Sequence, residues 1–290
     1  MRKIPRLGAV LSLALGTALL GASAAGAASG GNACSGTLAS PGVLAGTYHG
    51  NVTVTGLCVV DSGAAVINGN LVIAAGGAVG AAFALNHATG TGTSSLTVRG
   101  NVTVGAGGVL SLGCEPAGEP CPDDPAATTA HRVLGSVTAW SPLGVVFYGD
   151  HIGGSVMVSV GGGGVSCDPP FPGIFAAVNS PPFSDAEDNV IGGNLTFTGL
   201  KSCWLGSIRN KVGGNVTITS NTLADPTADM IVSNHVGGNL VCFDDSPAAQ
   251  FAVGGSANQV RGMAAGQCGF HVKQPNPAPD GPLQLISVRG

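Results

Sequence analysis

The sequence predicts an all-β chain folded as a single-stranded parallel β-helix, a solenoid of about nine to eleven coils interrupted by Pro-rich loop insertions. Three observations predict it. A short Val/Ile-x-Gly-Asn unit recurs along the chain, each copy followed by alternating apolar residues. Hydrophobic residues reach 44 %, but only 4 % are aromatic and 49 of 290 residues are Gly. Eight cysteines follow an export signal. Small apolar side chains separated by glycines favour short strands and tight turns over helices, because an interior Gly costs a helix about 1 kcal/mol.

The repeat is the main signal. Its copies include Ile67-Asn68-Gly69-Asn70-Leu71, Val98-Arg99-Gly100-Asn101-Val102, Ile152-Gly153-Gly154-Ser155-Val156, Ile191-Gly192-Gly193-Asn194-Leu195, Val212-Gly213-Gly214-Asn215-Val216 and Val236-Gly237-Gly238-Asn239-Leu240. Tyr48-His49-Gly50-Asn51-Val52 is a first copy and Val260-Arg261-Gly262-Met263 a degenerate last one. Counted at the Asn position, the gaps are 19, 31, 35, 19, 39, 21, 24 and 24 residues. Gaps of 19 to 24 correspond to one coil each. The longer ones are either one coil plus an insertion or two coils with one copy eroded. Proline-rich composition places insertions near 114–129 and 168–188, since proline cannot donate to a sheet ladder.

In each unit the side chains alternate, so Val52 and Val54 face one side and Thr53 and Thr55 the other. An apolar face two or three residues wide is buried only by stacking on its neighbours about 4.8 Å away. Gly-Gly before the strand is expected to supply a tight corner with positive φ. Asn51, Asn70, Asn101, Asn194, Asn215 and Asn239 are expected at that corner, each hydrogen-bonding to the next coil. Asn189, Asn210, Asn234 and Asn258 keep a second register, five residues before each anchor, and predict another Asn stack.

Arg2, Lys3 and Arg6, then an apolar run from Leu7 to about Leu20, then small residues to Ala28 form a secretory signal peptide over 1–28. Residues 29–42 are a lead-in or cap, 43–268 the β-helix and 269–290 a C-terminal tail. The expected product is secreted, possesses no transmembrane segment and stays extracellular or at the cell surface. Signal removal leaves eight basic against fifteen acidic residues, a net of about −7, which disfavours nucleic acid as a partner. Cys34, Cys58, Cys114, Cys121, Cys167, Cys203, Cys242 and Cys268 all lie in the exported part, where disulfides are the default. Eight cysteines allow 105 pairings. The local reading joins Cys114 with Cys121 across a Pro-rich loop, Cys34 with Cys58, Cys242 with Cys268, and by remainder Cys167 with Cys203.

These repeats resemble those of the bactofilins. The Asn-x-Val-Gly-Gly-Asn-Leu units that precede a Cys, at Asn234 to Cys242, and the Gly266-Gln267-Cys268 ending are similar to a family of uncharacterised secreted bacterial proteins. The resemblance spans about residues 43–268 and implies a right-handed β-helix. It brings no catalytic residues. Bactofilins are cytoplasmic, whereas this chain carries an export signal and cysteines.

Asn51, Asn101, Asn194 and Asn215 head Asn-x-Thr triplets, which the repeat itself explains. The strand positions read as outward, Thr53, Val72, Thr103, Thr196 and Thr217, carry no acid, as a polysaccharide lyase or hydrolase would require. Their Thr rows, broken by Val72, Met157 and Val241, would suit an ice surface only if complete. The acids Glu115, Glu119, Asp123, Asp124, Asp185, Glu187, Asp188, Asp244 and Asp245 read as solvated loop charge, with a Ca²⁺ site at Asp185, Glu187 and Asp188 as the alternative. His49, His87, His131, His151, His235 and His271 show no metal-ligand spacing, and His49, His151 and His235 read as turn residues. No cofactor, metal or catalytic residue is expected. The leading expectation is a non-catalytic structural or surface-associated protein that binds cell wall or another glycan. A carbohydrate-active enzyme with its site under the two insertions, and a self-assembling scaffold, are the alternatives.

Overall fold

The computed structural model describes residues 32–251 and 255–269; the expected signal peptide, the tail beyond Gly269 and His271 lie outside the described residues. Three long sheets of ten, eight and nine strands run the length of the stack, and every strand pair within them is parallel. Each coil contributes one strand to each sheet in turn. A parallel β-helix results, with ten rungs in its longest sheet.

The repeat unit forms the strands of the ten-stranded sheet. Val52 and Val54, Leu71 and Ile73, Val102 and Val104, and Leu195 and Phe197 stack in register and are fully buried. Val145 and Phe147 enter the same core from the eight-stranded sheet, and Ile67, Val98, Ile152, Ile191 and Val212 from the nine-stranded one. Each such side chain contributes roughly 1.5–3 kcal/mol by leaving water. The core is one continuous ridge because no coil can bury its own apolar residues alone.

All three long gaps are one coil plus an excursion. Strands 71–73, 102–104 and 137–140 are direct neighbours, as are 156–159 and 195–198. The extra residues leave as 82–94, 113–131 and 160–182. The third excursion starts and ends earlier than the proline pattern indicates. Phe183–Glu187 is a strand of the eight-stranded sheet, paired with Val146–Tyr148 and Trp204–Ile208. The short helix Ile174–Val178 lies in this excursion.

The Gly-Gly corner departs from expectation. Gly153, Gly154, Gly192, Gly193, Gly213 and Gly214 do not have positive φ. They are glycine because the coils touch there: a Cβ on Gly192 would sit 2.3 Å from the Gly153 carbonyl oxygen. Positive φ occurs instead at the two other corners, often in non-glycine residues such as Ser141, Val160, Asp188 and Arg209.

The exposed Asn ladder forms through side chain and backbone rather than amide to amide. Asn51 Oδ1 accepts the Asn70 N–H, Asn70 the Asn101 N–H, Asn101 the Ser136 N–H, Asn194 the Asn215 N–H, Asn215 the Asn239 N–H and Asn239 the Met263 N–H, each at 2.7–2.8 Å. The second stack is buried from Asn189 to Asn234 and half-buried at Asn258, and there the amides also bond each other, Asn189 to Asn210 to Asn234 to Asn258 at 3.0 Å.

Disulfides join Cys34 to Cys58, Cys114 to Cys121, Cys167 to Cys203 and Cys242 to Cys268. The first and last tie neighbouring coils near each end of the stack. The Cys114–Cys121 bridge closes one excursion, and Cys167–Cys203 ties the longest one to the coils. Four disulfides fit an oxidising compartment. Among the described residues, no helix is long and apolar enough to cross a membrane.

Candidate functional site

The excursions 113–131 and 160–182 both fold over the outer face of the eight-stranded sheet. From one side Gly118 lies against the Tyr148 ring and the Glu187 carboxylate; an added Cβ would be 2.9 and 3.2 Å from them. From the other side the Phe175 ring lies over Gly144, 2.8 Å from where a Cβ would be. Between the excursions runs a groove of about 790 Å³, including its open mouth. Ala78, Val109 and Val146 line its floor, and Pro120, Phe175 and Val178 its walls. Glu119 is the one carboxyl in that lining.

Past Glu119, carboxyls of excursion 113–131 converge with those of the strand Phe183–Glu187 and the corner after it. Alternation on strand Phe183–Glu187 turns Ser184 and Ala186 inward and leaves Asp185 and Glu187 on the outer face, beside the outward Tyr148. The Tyr148 hydroxyl donates to Asp185 at 2.9 Å. Arg209, one coil on from Asp188, donates from Nε to Asp188 at 2.7 Å and from its terminal nitrogen to Glu187 at 2.8 Å. Glu115 stands 3.7 Å from the same guanidinium. Asp188 and Arg209 both occupy left-handed backbone, φ 56° and 55°, which costs non-glycine residues about 1–2 kcal/mol each. The sequence thus keeps side chains at a corner that glycine would occupy more comfortably.

Burial dominates the electrostatics. It raises Glu119 to about 7, with the Glu187 charge adding to it, and raises Glu115 to about 8, helped by Asp188 and opposed by Arg209. Asp185 is also driven well above the ordinary carboxyl range by burial and then by Glu187. The Asp185–Glu187 contact therefore suits a proton held on Asp185 and a charge on Glu187, which Arg209 neutralises. Asp185 Oδ1 and the Trp204 indole N–H are buried and have no hydrogen-bond partner. Asp185 Oδ1 and the six-membered ring of Trp204 crowd Gly206, where a Cβ would be 2.3 Å from the first and 2.4 Å from the second.

Several readings of the sequence change here. Asp185 and Glu187 are strand residues 1 % and 8 % exposed, not solvated loop charges. The outward row containing Thr53, Thr103, Thr196 and Thr217 describes only the ten-stranded face; the eight-stranded face carries acids outward. Asp123 is engaged as well, accepting the Ala84 and Leu85 N–H groups at 2.9 and 2.8 Å and facing His87 at 3.2 Å. Carboxylate oxygens of Glu115, Glu187 and Asp188 lie within 4.8 Å of one another, but the Arg209 guanidinium already stands among them, where a Ca²⁺ ion would need to be. His151 and His235 are strand residues rather than turn residues. Tyr148, Arg209 and Trp204 were not singled out from the sequence. A usable signal existed: Asp188 and Arg209 each directly precede a member of the second Asn register, which places them one above the other.

The chain matches no family model, and neither a curated protein nor a solved structure matches it.

Proposed function

We propose that the mature chain is a non-catalytic, secreted scaffold associated with the cell surface, and that the acidic cluster clamps the excursions to the stack. The observation that carries this reading is internal compensation. Arg209 bonds Glu187 and Asp188 and lies near Glu115, while Tyr148 bonds Asp185. A hydrolytic site needs one carboxyl free to donate a proton and another free to attack or to activate water. Here most are engaged by neighbouring side chains. The groove beside them is largely aliphatic, and it offers a sugar ring few hydrogen-bonding groups. The test is incubation of the oxidised, signal-free chain with neutral and acidic polysaccharides. No new reducing ends and no unsaturated products are expected. Cleavage that disappears in Glu119→Gln overturns the reading.

One observation favours a second reading, a carbohydrate-active enzyme. Glu115 and Glu119 from excursion 113–131 meet Glu187 on the strand Phe183–Glu187, a convergence of carboxyls on one coil face of the kind such an enzyme requires. A carboxyl raised to about 7 suits a proton donor to a leaving oxygen. In that reading Glu119 is the acid and Glu187 the opposing carboxylate, and the same polysaccharide panel decides.

A further inference from the structure

The nine-stranded face carries the opposite charge. Its outward row runs Thr97, Arg132, His151, Val190, Lys211, His235 and Gln259 on consecutive rungs. Arg99 and Arg261 lie two residues beyond Thr97 and Gln259, at the two ends. In sequence these cations are scattered, which is why no basic stripe is visible there. Stacking lines them up along the axis over about 29 Å, six spacings of roughly 4.8 Å between seven rungs. All six of Arg99, Arg132, His151, Lys211, His235 and Arg261 are exposed. Ion pairs among the described residues involve only Arg209 and His87 as the basic partners, and no strand of this sheet contains an Asp or Glu. Beside the row, Gly153, Gly192, Gly213 and Gly237 form a shelf of bare backbone. A Cβ on any of them would lie 2.3–2.5 Å from the carbonyl of the adjacent coil, so packing keeps the shelf flat.

We propose that this face binds a linear anionic polysaccharide laid along the stack axis. A polymer bearing one carboxylate per sugar can meet several cations in line while its rings rest on the glycine shelf. Four permanent charges over seven rungs suit sparse anions better than a phosphate backbone. The row also lacks the aromatic side chains on which single-stranded bases stack. The inference deepens the surface-associated reading by naming a face and a partner class, and it uses none of the residues in the acidic cluster.

The test measures binding of the oxidised, signal-free chain to polygalacturonate, with amylose as the uncharged probe and a single-stranded oligonucleotide as the alternative polyanion. Polygalacturonate should bind, and its affinity should fall on the order of 50-fold between about 50 and 200 mM salt, as four counterion-releasing contacts require. Joint Arg132→Gln and Lys211→Gln should weaken binding about tenfold or more and reduce the salt slope, with an unchanged circular dichroism spectrum. The charge-keeping pair Arg132→Lys and Lys211→Arg should retain it. Amylose binding as tight as polygalacturonate, an unaffected neutral double variant, or tighter binding of the oligonucleotide would each overturn the assignment. Amylose binding alone would leave the surface-associated reading standing. Polymer cleavage, with binding still lost in the double variant, would sink the non-catalytic reading and leave the face assigned.

Discussion

Two ladders of side chains run along the stack, and they follow different rules. The exposed ladder at the Gly-Gly corner needs only an acceptor on each coil. Ser136 and Ser155 therefore replace Asn without a break, their hydroxyls accepting the Ser155 and Asn194 N–H groups at 3.1 and 3.0 Å. The buried ladder needs an acceptor and a donor on every coil. Asn189, Asn210, Asn234 and Asn258 accept the N–H of the preceding coil and also donate to the carbonyls of Phe147, Ala186, Ser207 and Ile231. Toward the N-terminus this ladder continues with residues of other types. Asp150 accepts the His131 N–H at 2.7 Å, and His131 Nδ1 accepts the Leu96 N–H at 2.9 Å while Nε2 meets the Ala81 carbonyl. His131 reproduces the amide's pair of functions only as the neutral tautomer protonated on Nε2. Solvent makes the first ladder tolerant, and its exclusion makes the second exacting.

The contrast is broken hardest at Asn210. Its carboxamide bonds the Asn189 N–H at 3.1 Å and the Ala186 carbonyl at 2.7 Å and is fully buried. Asn210→Ala leaves several buried groups unpaired at about 1–3 kcal/mol each, so a loss of roughly 3–5 kcal/mol is expected in denaturant unfolding. A loss under about 1 kcal/mol would mean that water enters the ladder. Next is Arg209→Gln at the adjoining corner. Removing one partner of a deeply buried ion pair costs about 3–5 kcal/mol, but this guanidinium is 31 % exposed, so about 2 kcal/mol is expected. The variant should also release excursion 113–131 to protease more readily.

Titration sharpens the same contrast. Burial, with Asp245 nearby, raises Asp229 to about 8, and burial raises Glu119 to about 7. Folded carboxyls then hold protons that the unfolded chain releases from about pH 4 upward, so stability rises as pH falls through 8 toward 5. His131 acts the other way. Burial lowers it to about 4, so below its ordinary value of 6.5 only the unfolded chain takes the proton. Its stabilising share is complete above pH 6.5 and is lost as pH falls toward 4. Melting temperature should therefore climb from pH 8 to about 6.5 and climb more gently from there toward 5, where one histidine opposes two carboxyls. A steady decline from pH 8 to 6.5 would contradict the burial of these acids. Asp150→Asn should add about 1 kcal/mol at pH 8 and almost nothing at pH 5, since burial already drives Asp150 well above its ordinary range and the amide copies its protonated form.

Much of the coil was legible because the exposed ladder and the Val-x-Val ridge are local and periodic. The run Val216-Thr217-Ile218 states its own alternation, and Asn215 marks the corner before it. The second Asn register was legible for the same reason, up to Asn189. It disappears at Asp150 and His131, since two different residues can match an amide only by changing protonation. The acidic cluster was half legible. Its acids are visible in the sequence, but the strand Phe183–Glu187 hides behind Pro181-Pro182 and reads as loop. Which face each acid serves depends on three sheets, and the repeat announces only one. The basic row was hidden by distance, Arg132 and Lys211 being 79 residues apart in sequence yet only three rungs apart in the same sheet.

The smallest expected effect tests the tolerant ladder. Asn194 Oδ1 accepts the Asn215 N–H at 2.8 Å, and Asn194 is exposed. In Asn194→Ala water can take over that N–H, so the loss should be about 0.5–1 kcal/mol, the net worth of one hydrogen bond in contact with solvent. Asn194→Ser should be smaller still, since Ser155 already fills this role on the neighbouring coil. Denaturant midpoints of the two variants, set beside that of Asn210→Ala, measure the difference between the ladders directly. If Asn194→Ala cost as much as Asn210→Ala, exposure would not be what separates them. The corner glycines would then be the place to look, because Gly214 already brings its backbone to the Asn194 amide, with a Cβ there only 2.2 Å from Oδ1.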